Sequence, residues 1–373
     1  MSRPGSSVDE KGVNQNGDPG GHLSVFSNTH TAALTTEIRL LSAFKRDTQA
    51  RKVYLAGRGE CTFEPHLVGK IKQQLSADPT LHPEYPSSFG LVEFIRQATQ
   101  VALGRSSRAI VENRVFGVQT PGFNAAVRLG AELLKHLCDV SAAWCGPVYL
   151  SFPCDVAPTS YLESYFWSLH CFQQRRRLFP FLLLPAQALC YGDLERDAWP
   201  VRYFASQGIE VLCAQSFSHC FGLYGEAVGH LLCILKHNSL LLSVQSQADK
   251  IVRSLWAQPS VGGARVVATV LSNSAHLVEW QGDVKRIVER CMLIRAVLRE
   301  KLRLLGTPGC WDHLTQQGGL FCCTGLNGQQ VEFLSNCRHV YLLPSGCLNV
   351  SAINSRNLDY IAESIRLALT TSL

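Results

Sequence analysis

The sequence predicts an α/β fold with a mainly parallel sheet, and three observations carry that prediction. Short apolar runs recur, each bounded by turn residues: GPVYLSFP (146–153), LFPFLLLP (178–185) and IEVLCAQSF (209–217). Runs of this length without alternation suit strands covered on both faces. Helical periodicity lies between the first two runs, and a long amphipathic stretch, 274–305, follows the third. Alternation of the two element types is the pattern of α/β chains.

The elements follow in chain order. Residues 1–22 (MSRPGSSVDEKGVNQNGDPGGH) are polar and rich in Gly, Ser, Asn and Asp, so a flexible tail is expected there. Globular patterning begins at Leu23, with no internal repeat. Ser160 and Glu163 have capping-box spacing, and Tyr161, Tyr165, Leu169 and Phe172 continue at helical spacing. In 274–305, Val284, Ile287, Val288, Cys291, Ile294, Val297, Leu298, Leu302 and Leu305 form one apolar stripe. The stripe stops at Gly306, with Pro308 just beyond, which is a helix stop signal. VYLLP (340–344) and LNVSA (348–352) read as a hairpin around Ser345-Gly346. Ser355 or Asn357 is the expected cap of a last helix burying Leu358, Ile361 and Ile365.

Composition narrows the class. With 46% hydrophobic and 17% charged residues in 373, the chain has the make-up of a globular protein with a sizeable core. The net charge of +6 is spread along the chain. Its densest basic run, Arg175-Arg176-Arg177, reads as a solvated helix end, so no nucleic-acid partner is expected. The fifteen cysteines are odd in number and show neither a Cys-x-x-Cys pair nor zinc-ligand spacing. They read as reduced, mostly buried thiols, and no metal site is expected. No secretory signal and no apolar run of membrane-span length is seen, so a cytoplasmic protein without a membrane partner is expected.

The segment CAQSFSHCFGLYGEAVG (213–229) resembles the cofactor-lysine segment of cytosolic aspartate aminotransferases. LHPEYPSSFGL (81–91), IVENRVFGVQTPG (110–122), FPFLLLPAQALCYGDLERDAW (179–199), GARVVATVLSN (263–273) and LLPSGCLNVS (342–351) resemble that family in the same order. The likeness runs from Leu23 to the C-terminus. It implies fold-type I of the pyridoxal-phosphate transferases, a dimer with active sites at the subunit boundary. The implied large α/β domain is 55–286. Residues 23–54 and 287–373 would form a small α+β domain. The interval 155–183 is short for that family, so the large domain reads as truncated there.

The resemblance also implies roles. The lysine that forms a Schiff base with the cofactor falls at His219, and an imidazole cannot form a stable aldimine. The carboxylate that keeps the pyridine nitrogen protonated falls at Leu183. The tyrosine at the ring oxygen falls at Ala186, and the asparagine of the family's Asn-Pro-Thr-Gly turn at Ala157. The stacking tryptophan falls at Asp155. The phosphate loop falls at Gly122-Phe123-Asn124, where Phe123 adds bulk, and the phosphate arginine at Ala227. The arginine for the substrate α-carboxylate falls at Cys347. Three positions are retained: Ser216 for the phosphate, Tyr85 for the phosphate, and Arg253 for the substrate side-chain carboxylate. In the family Tyr85 and Arg253 correspond to the two groups that reach into the neighbouring subunit's site.

Pyridoxal phosphate is therefore the cofactor the resemblance implies, and its binding is expected to be lost or very weak. Three readings stand at this point. One is a pseudoenzyme acting by binding or dimerisation, as a homodimer or as a heterodimer with an active cytosolic aspartate aminotransferase. The second is residual transamination between L-aspartate and 2-oxoglutarate. The third is a decaying paralogue without a stable fold.

Overall fold

The computed structural model describes residues 30–57, 65–81, 84–137, 148–150 and 179–371, with 148–150 as backbone alone. The tail 1–22, the helix expected after Ser160, the run Arg175–Arg177, and the positions Asp155 and Ala157 lie outside the described residues.

Nine strands occur among the described residues: β1 (Val53–Tyr54), β2 (Val115–Pro121), β3 (Val148–Leu150), β4 (Pro180–Leu184), β5 (Val211–Ser216), β6 (Val228–Ile234), β7 (Phe321–Cys323), β8 (Val340–Tyr341) and β9 (Cys347–Asn349). The central sheet has the order β2-β6-β5-β4-β3. β3, β4 and β5 are the three apolar runs of the sequence, and they pair in parallel. β6 runs antiparallel to both β2 and β5. Four of the five strands therefore share a direction, and their C-terminal ends bring Pro121, Ser216 and Leu184 to one side of the sheet.

Helices cover both faces, which is why the strands are apolar throughout rather than alternating. On one face Phe116, Val118, Phe181, Leu212, Ala214 and Leu231 pack with Ala126, Leu129 and Leu133 of the helix Phe123–Leu137. Gly130 lets that helix approach, because a Cβ there would stand 2.4 Å from the Phe181 ring. On the other face Leu182, Leu184, Cys213 and Leu232 meet Ala102 and Leu103 of the helix Val92–Leu103 and Val201 and Phe204 of the helix Trp199–Ser206.

The stretch 274–305 is one continuous helix, Ser274–Leu304, as its stripe predicts. Asn273 caps it by accepting from the Ala275 and His276 amides, and Gly306 follows its end with φ +63°. Its first half places Trp280 and Val284 in an apolar cluster with Phe217, Cys220, Phe221 and the helix Gly262–Ser272. Its second half places Cys291, Leu298 and Leu302 in another, with Trp311, Leu334, Leu348, Ile361 and Ile365. Leu55, from the other end of the chain, completes that second cluster.

Three local expectations are corrected. The segments 340–344 and 348–352 do not pair as a hairpin. β8 pairs in parallel with β1, and β9 pairs antiparallel with β7. Leu55 separates them: its N–H donates to the Tyr341 carbonyl and its carbonyl accepts from the Asn349 amide, each at 2.7 Å. The turn itself survives, with Gly346 N donating to Leu343 O at 2.9 Å. The cysteines are not all reduced thiols, because Cys323 and Cys347 form a disulfide. They face each other on adjacent strands, which a sequence separation of 24 does not announce. Asn357 stands at the start of the helix Leu358–Thr370, but its side chain turns back, accepting from Asn354 N and donating to Ala352 O.

Candidate functional site

Strand ends in an open α/β sheet are where ligands bind, and the loop leaving β5 is built rigidly. Ser216, 4% exposed, ends β5, and its hydroxyl accepts from the Ser218 amide at 3.3 Å. Phe217 N donates to Val228 O, and Leu223 N to Ser218 O at 2.9 Å. Ser218 Oγ accepts from Val228 N across the loop. Underneath, the Trp280 indole N–H donates to Cys220 O at 2.9 Å, and its ring stacks on Phe221 at 4.5 Å between centroids. His219 projects from this frame, half-buried, with its ring 5.7 Å from that of Tyr224. The group offered here is an imidazole on a fixed backbone. It can hold or pass a proton, but it has no primary amine.

Ala227 lies beside the end of β2. It adopts φ +48°, a left-handed conformation that costs a non-glycine residue roughly 1–2 kcal/mol. A Cβ built on Gly122 would stand 3.3 Å from the Ala227 Cβ, and one on Gly229 would strike the Gly122 carbonyl oxygen at 2.3 Å. The two chain segments thus meet backbone to backbone. Asn124 follows, exposed, in the first turn of the helix Phe123–Leu137. Where the start of that helix meets the β5 loop, Ala227 supplies only a methyl group.

Leu183 pairs with Ala214, two residues before Ser216, and packs with the cluster under the helix Phe123–Leu137. Its neighbours among the described residues are apolar, with no carboxylate in that cluster. Ala186, half-buried, follows the end of β4. Beside it runs a polar chain that the sequence did not reveal. Gln187 Oε1 accepts from Gln215 Nε2 at 2.9 Å, and Gln215 Oε1 lies 2.8 Å from His230 Nδ1. Gln187 Nε2 donates in turn to Val101 O and Leu194 O. Burial pushes the His230 imidazole down to about 3, so Nδ1 carries the hydrogen and donates to Gln215. No spacing rule flags two glutamines and a histidine on three elements.

The remaining expected residues are carried by other elements. Arg253 is exposed on the helix Leu241–Leu255 and pairs with Asp249 at 2.8 Å. Asp249 also accepts from Ser88, and these two hydrogen bonds, Ser88 first, hold its carboxyl below the usual range. Tyr85 is 90% exposed, three residues before Ser88. Tyr85 and Arg253 are therefore on segments joined to each other through Ser88 and Asp249. Cys347 starts β9 and is bonded to Cys323 of β7. Among the described residues no group of three metal-ligating side chains converges.

The model of the family Aminotransferase class I and II matches residues 187–365. The cytoplasmic aspartate aminotransferase of Gallus gallus is 35% identical over 407 aligned residues, covering 93% of this chain and 98% of that protein. This chain belongs to the aspartate aminotransferase family. A Bos taurus family member named "Putative aspartate aminotransferase, cytoplasmic 2" is 36% identical, covering 93% of this chain and 97% of that one. Among solved structures, the aromatic-amino-acid aminotransferase of Burkholderia pseudomallei superposes with a TM-score of 0.82 at 25% identity, covering 93% of this chain and all of that one. The broad-specificity aminotransferase of Leishmania mexicana superposes at 0.83 and 24% identity, covering 93% and 98%. The fold of this aspartate aminotransferase family member is thus that of the pyridoxal-phosphate aminotransferases. Its alignment with the Gallus gallus enzyme is longer than the whole 373-residue chain, so some of that enzyme has no counterpart here.

Proposed function

We propose that this aspartate aminotransferase-like protein has lost transaminase chemistry and acts in the cytoplasm through binding and dimerisation. The observation that carries the reading is His219, held on the rigid loop after β5 where the resemblance puts the Schiff-base lysine. The Burkholderia pseudomallei structure holds pyridoxal phosphate covalently. Covalent attachment of that aldehyde requires a primary amine, and an imidazole supplies none. The phosphate needs a cation and backbone donors, and the Ala227 methyl supplies no cation, which leaves the hydroxyls of Ser216 and Tyr85. A pyridine nitrogen beside Leu183 would find no carboxylate to keep it protonated. The residues present do not fit the cofactor.

In this reading 55–286 and the two flanking segments, 23–54 and 287–373, act as the large and small domains. Exposed Arg253 and Tyr85 present a surface for a second subunit, either another copy or an active cytosolic aspartate aminotransferase. A second reading, residual transamination of L-aspartate and 2-oxoglutarate, draws on family membership and on retained Ser216 and Arg253.

One experiment separates the two. Purified protein is scanned for absorbance with added pyridoxal phosphate, treated with borohydride and mapped by mass spectrometry, alongside a coupled transaminase assay. The expected outcome is no reduced adduct in 216–228 and no turnover above buffer, with His219→Lys equally silent because Ala227, Leu183 and Cys347 remain. A borohydride-fixed adduct in that loop, or turnover that scales with protein, would overturn the proposal.

A further inference from the structure

We propose that Cys323 and Cys347 are a redox-active site, a dithiol that exchanges with low-molecular-weight disulfides and, when oxidised, clasps the 343–347 turn to β7. The two residues are direct partners in the antiparallel register of β7 and β9, with Cα atoms 4.1 Å apart. That is the close, non-hydrogen-bonded rung of an antiparallel ladder, where side chains stand nearest.

Both backbone groups of Cys323 and the carbonyl of Cys347 find partners outside the rung. Gln317 donates to Cys323 O at 2.9 Å and accepts from Cys323 N at 2.7 Å. Cys347 O accepts from Leu343 N at 3.0 Å. At this level only the two sulfurs join the strands, so the bond can open and close without breaking the ladder.

Accessibility separates this pair from the buried thiols among the described residues. Cys323 and Cys347 are each partly exposed. Cys220, Cys233, Cys291 and Cys322 are buried, and burial pushes their thiols up, Cys220 to about 12. The thiolate is the reacting species, so those four are inert at neutral pH. Cys310 and Cys337 are exposed but not disulfide-bonded.

The chemistry balances as thiol–disulfide exchange. One cysteine thiolate attacks a disulfide such as oxidised glutathione, forming a mixed disulfide and releasing one thiol. The second cysteine, losing its proton, attacks the protein-side sulfur and releases the second thiol. Two protein thiols are oxidised and one small disulfide is reduced, with no other oxidant. The turn that is clasped is otherwise held by Thr324, whose N–H and hydroxyl both donate to Gly346 O, at 3.1 and 2.8 Å. This inference does not rest on the fate of transamination.

The test equilibrates the full chain anaerobically across reduced-to-oxidised glutathione ratios, traps thiols with N-ethylmaleimide and maps them after digestion. Cys323 and Cys347 are expected to pass together from both alkylated to neither, with Cys220 and Cys233 unlabelled throughout in the folded protein. Hydrogen exchange of wild-type protein supplies the conformational readout. Thr324, Leu343 and Gly346 amides are expected to exchange about tenfold faster in the reduced form, because the cross-link no longer limits local opening. In Cys347→Ser, oxidised glutathione is expected to remain attached at Cys323. The proposal is overturned if the pair stays open in fully oxidised glutathione, stays closed in fully reduced glutathione, or titrates one residue without the other. Equal exchange rates in the two redox states would overturn the clasp.

Discussion

Arg253 Nε lies 2.8 Å from Asp249 Oδ2, one helical turn away, while Oδ1 of the same carboxylate accepts the Ser88 hydroxyl. Arg253 is thus oriented by a residue that also anchors the segment following Tyr85. The Asp249 carboxyl is held below its usual range, so the sign of the pH effect follows. The tether is complete above the ordinary carboxylate pKa near 4 and is lost as pH falls through the lowered value. Asp249→Ala is expected to raise protease cleavage and amide exchange around 85–90 at pH 7, and wild-type protein to show the same change only on acidification. Unchanged exchange in the variant would remove this link.

The mixed-dimer reading makes a kinetic prediction. Co-expressed with an active cytosolic aspartate aminotransferase, the chain is expected to be recovered with it, and about half the sites to turn over. Arg253→Ala in this chain would then raise the partner site's KM for dicarboxylates by roughly ten- to a hundredfold, the loss of one charge-assisted carboxylate contact. Recovery of separate homodimers, or unchanged KM, ends the mixed-dimer reading.

Gly130 and Gly69 make a matched pair. Both lie inside helices, where alanine is favoured over glycine by about 1 kcal/mol. At Gly69 a Cβ meets nothing within 4 Å, so Gly69→Ala is expected to stabilise by roughly 0.5–1 kcal/mol. At Gly130 the same methyl strikes the fully buried Phe181 ring, so Gly130→Ala is expected to destabilise by about 1–3 kcal/mol despite its propensity. Urea midpoints moving in the same direction would show that helix-to-sheet approach is not what Gly130 provides.

His230 predicts an acid limb of stability. Its imidazole is neutral in the folded chain down to about 3, whereas the unfolded chain takes up the proton near 6.5. Between those values the unfolded state binds more protons, so stability falls with decreasing pH by about 1.4 kcal/mol per unit from this group. His230→Asn keeps a donor for Gln215 and removes the titration. Between pH 7 and pH 5 the variant is expected to lose about 2 kcal/mol less than wild type in urea unfolding. Parallel losses would place the buried proton elsewhere.

Much of the architecture was legible because its determinants are local. β4, β5 and the helix Ser274–Leu304 follow from apolar runs, periodicity and the Gly306 stop. β6 was not, since an apolar run carries no mark of direction, and VGHLLCI reads the same in either orientation. The hairpin failed because Leu55, far away in sequence, enters between its arms. At the site, His219 and Ser216 were readable from one contiguous segment. The Gln187–Gln215–His230 chain, the Asp249 tether and the Cys323–Cys347 bond were not, because each joins residues whose proximity exists only after folding.

The pairing of β1 with β8 has a consequence for how the chain is made. Val53 finds Val340 and Tyr54 finds Tyr341, so on the ribosome β1 waits for all of 55–339 to be made before its partner exists. During that interval Leu55, fully buried in the finished protein, is exposed with its backbone unpaired. Contacts of such long sequence separation form late and leave apolar edges open to aggregation meanwhile. Nascent chains stopped before residue 340 should therefore depend on chaperones, and truncation from the C-terminal end should cost solubility out of proportion to the residues removed.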